Sequence, residues 1–181
     1  MFKIKELVVY GNEGVCRIDD IRKIDIAGID NDKLYYILNP IYSPGKVVYA
    51  PIDTKVSIRS VITSETAQDL IDQVHEISAE EINNNSLREL NDFYKSLLNS
   101  HKCTDLFKLI KTVYVKEQNA AKNKKKLGQT DKNYMKVAEE LLHGEFAAAL
   151  GIPKNDVKSY IENRVQKQEY SNWNYSNSYC K

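Results

Sequence analysis

The sequence predicts an α+β protein: a small β module over residues 1–63, then an all-helical module over residues 64–165. Three observations carry that prediction. Short β-branched and aromatic runs recur up to Pro51, separated by Gly, Asn, Asp and Pro. Helical periodicity takes over near Ser64. Charge divides too: residues 1–83 carry 9 Lys+Arg against 14 Asp+Glu, whereas residues 84–181 carry 17 against 11. Opposite balances on two segments point to modules with different partners.

The elements follow in order. Leu7-Val8-Val9-Tyr10 reads as a strand stopped by the Gly11-Asn12 turn, and Val15-Cys16-Arg17-Ile18 as its successor. Ile21, Ile24 and Ile26 lead to turns at Gly28 and Asn31-Asp32. Leu34 to Leu38 is the strongest strand, ended by Asn39-Pro40, and Lys46 to Ala50 is the next, after the Ser43-Pro44-Gly45 turn. Pro51 has no N–H, which suits a strand end or an open edge able to accept a strand from another protein. About five strands of this kind make a small antiparallel sheet or open barrel.

Ser64 is expected to cap the first helix, with Leu70, Ile71 and Val74 on its apolar stripe, and residues 77–85 form a linker. A second helix carries Leu87, Leu90, Tyr94, Leu97 and Leu98. Thr104 is expected to cap a third, with Leu106, Ile110, Val113 and Tyr114 inward. A break at residues 123–128 precedes a fourth helix opened by Thr130, whose core candidates are Tyr134, Val137, Ala138, Leu141, Phe146 and Leu150. Gly151 closes it and Pro153 begins a last short helix through Ile161. Residues 166–181 alternate polar and aromatic residues without an amphipathic face and read as a flexible tail.

No catalytic chemistry is legible. GxGxxG, GxxxxGK[ST] and GxSxG are absent, and Gly11 and Gly14 lie between strands with no helix to cradle a phosphate. His75, His101 and His143 have no partner at ligand or general-base spacing. Cys16, Cys103 and Cys180 form neither a zinc pattern nor a disulfide framework. The expectation is a non-enzyme without cofactor or small-molecule substrate. It is expected to be cytoplasmic, with no signal peptide and no run approaching the roughly 20 apolar residues that span a bilayer. Lys122, Lys124, Lys125 and Lys126 form a basic run between helices, and Lys132 and Lys136 share a face one turn apart. A solvated loop is the plain reading of these lysines; a phosphate-contacting edge is the functional one.

The same residues carry a family resemblance. VVYGNEGVCRI (8–18), YYILNP (35–40), VVYAP (47–51), IRSVITSETAQDLID (58–72) and AEELLHGEFAAALGIP (138–153) follow in the order and spacing of the CarD/CdnL-type bacterial transcription regulators, in the form of their clostridial-type variants. The resemblance covers roughly residues 2–165. Gly11 stands where the family usually has Pro, and Cys16 where it has a second Gly.

This resemblance implies a Tudor-like N-terminal module related to the polymerase-interacting domain of the transcription-repair coupling factor. It would bind the RNA polymerase β subunit through Lys46, Val47, Val48, Tyr49 and Ala50, with Lys23 and Ile24 at the same surface. Arginines assist in relatives at the positions of Ile24 and Tyr49. The resemblance also implies C-terminal helices that contact promoter DNA at the upstream edge of the melted region and modulate open-complex stability. Candidate DNA contacts are Leu87, Arg88, Lys122, Lys124, Lys125, Lys126, Lys132 and Lys136. Many relatives wedge a Trp into the minor groove from the start of the first C-terminal helix. That stretch here, residues 82–88, contains none, and Trp173 lies far along the chain. Leu87 is either a core residue, as its spacing with Leu90 and Tyr94 favours, or a substitute wedge. An adaptor without productive DNA contact is the alternative.

Overall fold

A computed structural model describes residues 1–25, 32–80 and 86–166. The expected tail, from residue 167 on, lies outside the described residues, as do the turn residues Gly28 and Asn31 and the 83–85 run. The chain divides into two compact units, Met1–Val61 and Ile62–Lys181. Together they give the α+β architecture expected of the sequence.

The first unit is an antiparallel sheet of five strands in the order β4-β3-β2-β1-β5. These are β1 (Leu7–Tyr10), β2 (Gly14–Arg22), β3 (Tyr35–Pro40), β4 (Val48–Pro51) and β5 (Ile58–Ser60). β3 runs through Asn39-Pro40, because both residues still pair with β2, at Arg17 and Cys16. Alternation directs Val8, Tyr10, Cys16, Ile18, Tyr36, Leu38 and Ala50 into one apolar cluster. Val9 and Val15, paired across strands on the opposite face, are buried as well.

Two local devices shape this sheet. At Gly11 the backbone turns with φ of +46°, its N–H donates to the Ser57 carbonyl at 2.9 Å, and an added Cβ would lie 2.8 Å from Val56 Cγ1. Proline has neither that φ nor that donor, so this turn could not be built with it. Between Ile18 and Asp20 the β2–β3 register shifts. Asp19, at the shift, is exposed and accepts from Arg17 (2.7 Å) and Asn39 (3.3 Å), which marks a bulge that strengthens local twist.

The second unit holds α1 (Ser64–Asp72), α2 (Leu87–Asn99), α3 (Cys103–Lys122), α4 (Gln129–Leu150) and α5 over 157–166. Thr63, not Ser64, caps α1, its hydroxyl accepting from the Thr66 N–H. α3 starts at Cys103, so Thr104 lies inside it, and Lys102 supplies no side-chain cap. The buried Glu145 carboxylate of α4 stands there instead: it accepts from the Cys103 thiol (3.3 Å) and the Ile62 N–H (3.2 Å). α5 reaches 166, beyond the expected end at Ile161, and Arg164 grips Asp72 at the end of α1 through two bonds of 2.5 and 2.7 Å.

The helical core gathers Tyr94, Leu98, Leu106, Leu109, Val113, Ala138, Leu142, Phe146 and Val157. Leu87, Tyr114 and Val137, all expected inside, are exposed. For the last two the reason is the helix face: their chain neighbours Val113 and Ala138 take the buried positions, and one residue along a helix turns the side chain by about 100°. Among the described residues no helix is long and apolar enough to cross a membrane. No group of three or more His, Cys, Asp or Glu among them could hold a metal ion.

Candidate functional site

The sheet border comes first. Among the described residues, β4 ends the strand order and pairs with β3 alone. The Ile52 N–H donates to the Leu34 carbonyl at 3.0 Å, in register with Tyr36–Ala50 and Leu38–Val48. These are therefore the pairs that exchange hydrogen bonds, and Ile37–Tyr49 and Tyr35–Pro51 are the pairs between them that do not. The Tyr49 N–H and C=O consequently point away from β3. Pro51 occupies a position where an N–H would face outward, so its missing donor costs the sheet nothing.

The side chains divide in the same way. Ala50 is fully buried and Val48 packs on the sheet core, whereas Val47 and Tyr49 are 48% and 39% exposed. Tyr49 lies opposite Ile37, which shares its face and is partly exposed. Lys46 precedes the strand rather than opening it. Its N–H closes a turn onto the Ser43 carbonyl and its ammonium pairs with Glu13. Lys23 is exposed with Asp32 at 3.9 Å. Ile24 is only 6% exposed, so its side chain belongs to the interior and does not offer the surface contact expected of it. Among the described residues, this border presents one backbone donor–acceptor pair without a strand partner, flanked by apolar side chains.

The second feature is one end of the helical unit. Short connections make α2 and α3 neighbours, and then α3 and α4, so the start of α2, the end of α3 and the start of α4 fall at the same end. Side-chain contacts join the three helices there: Tyr94 of α2 donates to Asp131 of α4 at 2.8 Å, and Lys116 of α3 reaches the same oxygen at 2.7 Å. Leu87, 64% exposed, and Arg88 open α2 here, under the Ser86 hydroxyl that accepts from the Glu89 N–H. Arg88 has Asp92 one turn on at 3.9 Å.

Lys122 ends α3. Lys124, Lys125 and Lys126 form the connection, and all four lysines are exposed. The connection is a Schellman turn, with the Lys125 N–H on the Ala120 carbonyl (2.8 Å) and the Lys124 N–H on that of Ala121 (3.0 Å). Lys124 takes the left-handed position, φ +54°, that glycine usually fills. Lys132 and Lys136, both exposed, follow on the first turns of α4. Over residues 114–137 seven lysines face two acids.

Beneath this end lies a polar network that sequence reasoning missed. Asp131 is 3% exposed and accepts from Tyr94 and Lys116 on Oδ1. Burial and the neighbouring carboxylate raise the Tyr94 pKa, keeping its hydroxyl a donor. Tyr134 donates to Asn91 Oδ1 at 3.0 Å, and Asn91 Nδ2 donates to the Leu87 carbonyl at 2.8 Å. The Tyr94 and Tyr134 rings pack 5.1 Å apart. Only the adjacency of three helices reveals the partners on different helices, which lie 15 to 43 residues apart in sequence.

Residues 2–62 match the family model described as the CarD-like/TRCF RID domain. That match spans the five strands of the first unit, which is similar to a CarD-like/TRCF RID domain. No curated protein matches the chain.

Proposed function

We propose that the protein is a non-catalytic transcription regulator that docks on the RNA polymerase β subunit through the outer border of β4. The start of α2 and the lysine-rich end of α3–α4 then rest on promoter DNA at the upstream edge of the melted region, modulating open-complex stability. The observation that carries the reading is the open β4 border in a CarD-like/TRCF RID domain. Strand addition there would use the Tyr49 backbone pair for affinity and the exposed Val47 and Tyr49 side chains for selectivity.

The DNA part draws its support from the helical unit. Leu87 is an exposed apolar residue where many relatives of the resembled family carry a wedging Trp, and it stands at the same end as Arg88 and the lysine turn. A polymerase-bound chain holds these weak phosphate contacts at high effective concentration, so a modest charge suffices. The missing Trp favours a second reading, in which the chain is a polymerase adaptor that leaves DNA untouched.

Footprinting and dissociation kinetics of an RNA polymerase–promoter complex, with and without the protein, test both. The first reading expects altered protection at the upstream edge and a changed open-complex lifetime. Polymerase binding with neither change selects the adaptor. Absence of polymerase binding, with the sheet intact, removes both.

A further inference from the structure

We infer that Asn91 and Tyr134 are positioning residues for DNA contact: they fix the exposed start of α2 against the root of the lysine turn, so that Leu87 meets DNA as part of one rigid surface. The inference rests on the DNA-contacting reading proposed above and adds to it two residues that touch no DNA.

The geometry is a relay. Leu87 is the first residue of α2, where backbone N–H groups have no helical partners and fraying is easiest. Its carbonyl is held by Asn91 Nδ2 at 2.8 Å, and Asn91 Oδ1 is held by the Tyr134 hydroxyl at 3.0 Å. Tyr134 stands three residues beyond Asp131, which Tyr94 and Lys116 pin from the other two helices. The first turn of α2 is therefore tied through side chains to the first two turns of α4, a helix that begins three residues after Lys126. A wedge residue on a frayed turn spends binding free energy on ordering itself; on a held turn it does not. Neither Asn91 nor Tyr134 is fully buried, and each can lose its polar group without opening a cavity.

The test is a double-mutant cycle on the full chain with a fluorescein-labelled forked duplex, paired upstream and unpaired downstream, read by anisotropy at low salt. Tyr134→Phe removes only the hydroxyl. It is expected to weaken binding by about threefold to tenfold in the wild-type background and to have no further effect on Leu87→Ala, because it acts through Leu87. Asn91→Ala should behave alike. Hydrogen exchange at residues 87–91 should rise in Tyr134→Phe while the thermal midpoint holds, a pattern general destabilisation does not give. Tyr134→Phe binding as wild type, or losses that multiply with Leu87→Ala, would overturn the positioning role alone. Wild-type binding indifferent to Leu87→Ala and to charge removal at Lys124–Lys126 would overturn the DNA reading, and the positioning role with it.

Discussion

Lys124 shows how a single residue can set stability against function. A lysine at the left-handed position of a Schellman turn carries a Cβ penalty that glycine avoids, about 1 kcal/mol. Lys124→Gly should therefore raise stability by about that amount in urea unfolding while weakening DNA binding through the lost charge. His143 offers a pH test. Burial, then the nearby Lys154, lowers its pKa in the folded chain, so the folded state prefers the neutral ring. A depressed pKa contributes stability fully present above the unfolded value near 6.5 and lost as pH falls through the folded one. Stability should thus decline as pH drops below 6.5, and His143→Gln should flatten that decline in urea titrations at successive pH values. Charge at Lys124 was legible in the sequence. Its backbone conformation was not, since only the turn's two hydrogen bonds disclose it.

At the scale of elements, the start of α4 is the most constrained. Gly128 precedes it, and a Cβ there would lie 2.9 Å from Asp131 Oδ2, on a carboxylate that Tyr94 and Lys116 already hold. Gly128→Ala should destabilise the helical unit by about 1–3 kcal/mol, measured by urea unfolding, as overpacking does. Strand and helix identities were readable because alternation and the i, i+3, i+4 spacing report which face is apolar, as in Leu90, Tyr94, Leu97 and Leu98. Spacing does not report how far a neighbouring helix extends. Leu87, Tyr114 and Val137 are exposed although their spacing suited the core, with Val113 and Ala138 buried beside the last two, and Ile24, assigned to a surface by resemblance, went inside. The β4 border was legible from Pro51, whereas the parity that turns the Tyr49 backbone outward required the register.

At the scale of the whole molecule, charge is arranged by region. Residues 62–80 carry five acids and no Lys or Arg, and α1 within them packs on the half of α4 that bears Glu145. Basic residues collect at the other end of α4, so DNA should meet the helical unit at that end and be repelled at α1. The log of DNA affinity should then fall with the log of salt at a slope of about −3.5 to −5.5, fitting roughly four to six phosphate contacts. The central claim, however, concerns the sheet border. Its most direct test is the affinity of the full chain for the isolated RNA polymerase β subunit, compared with Val47→Glu and Tyr49→Glu, both changed at exposed side chains. The account predicts a loss of tenfold or more, about 1.4 kcal/mol, with the thermal midpoint preserved. Unchanged affinity in both variants would contradict it.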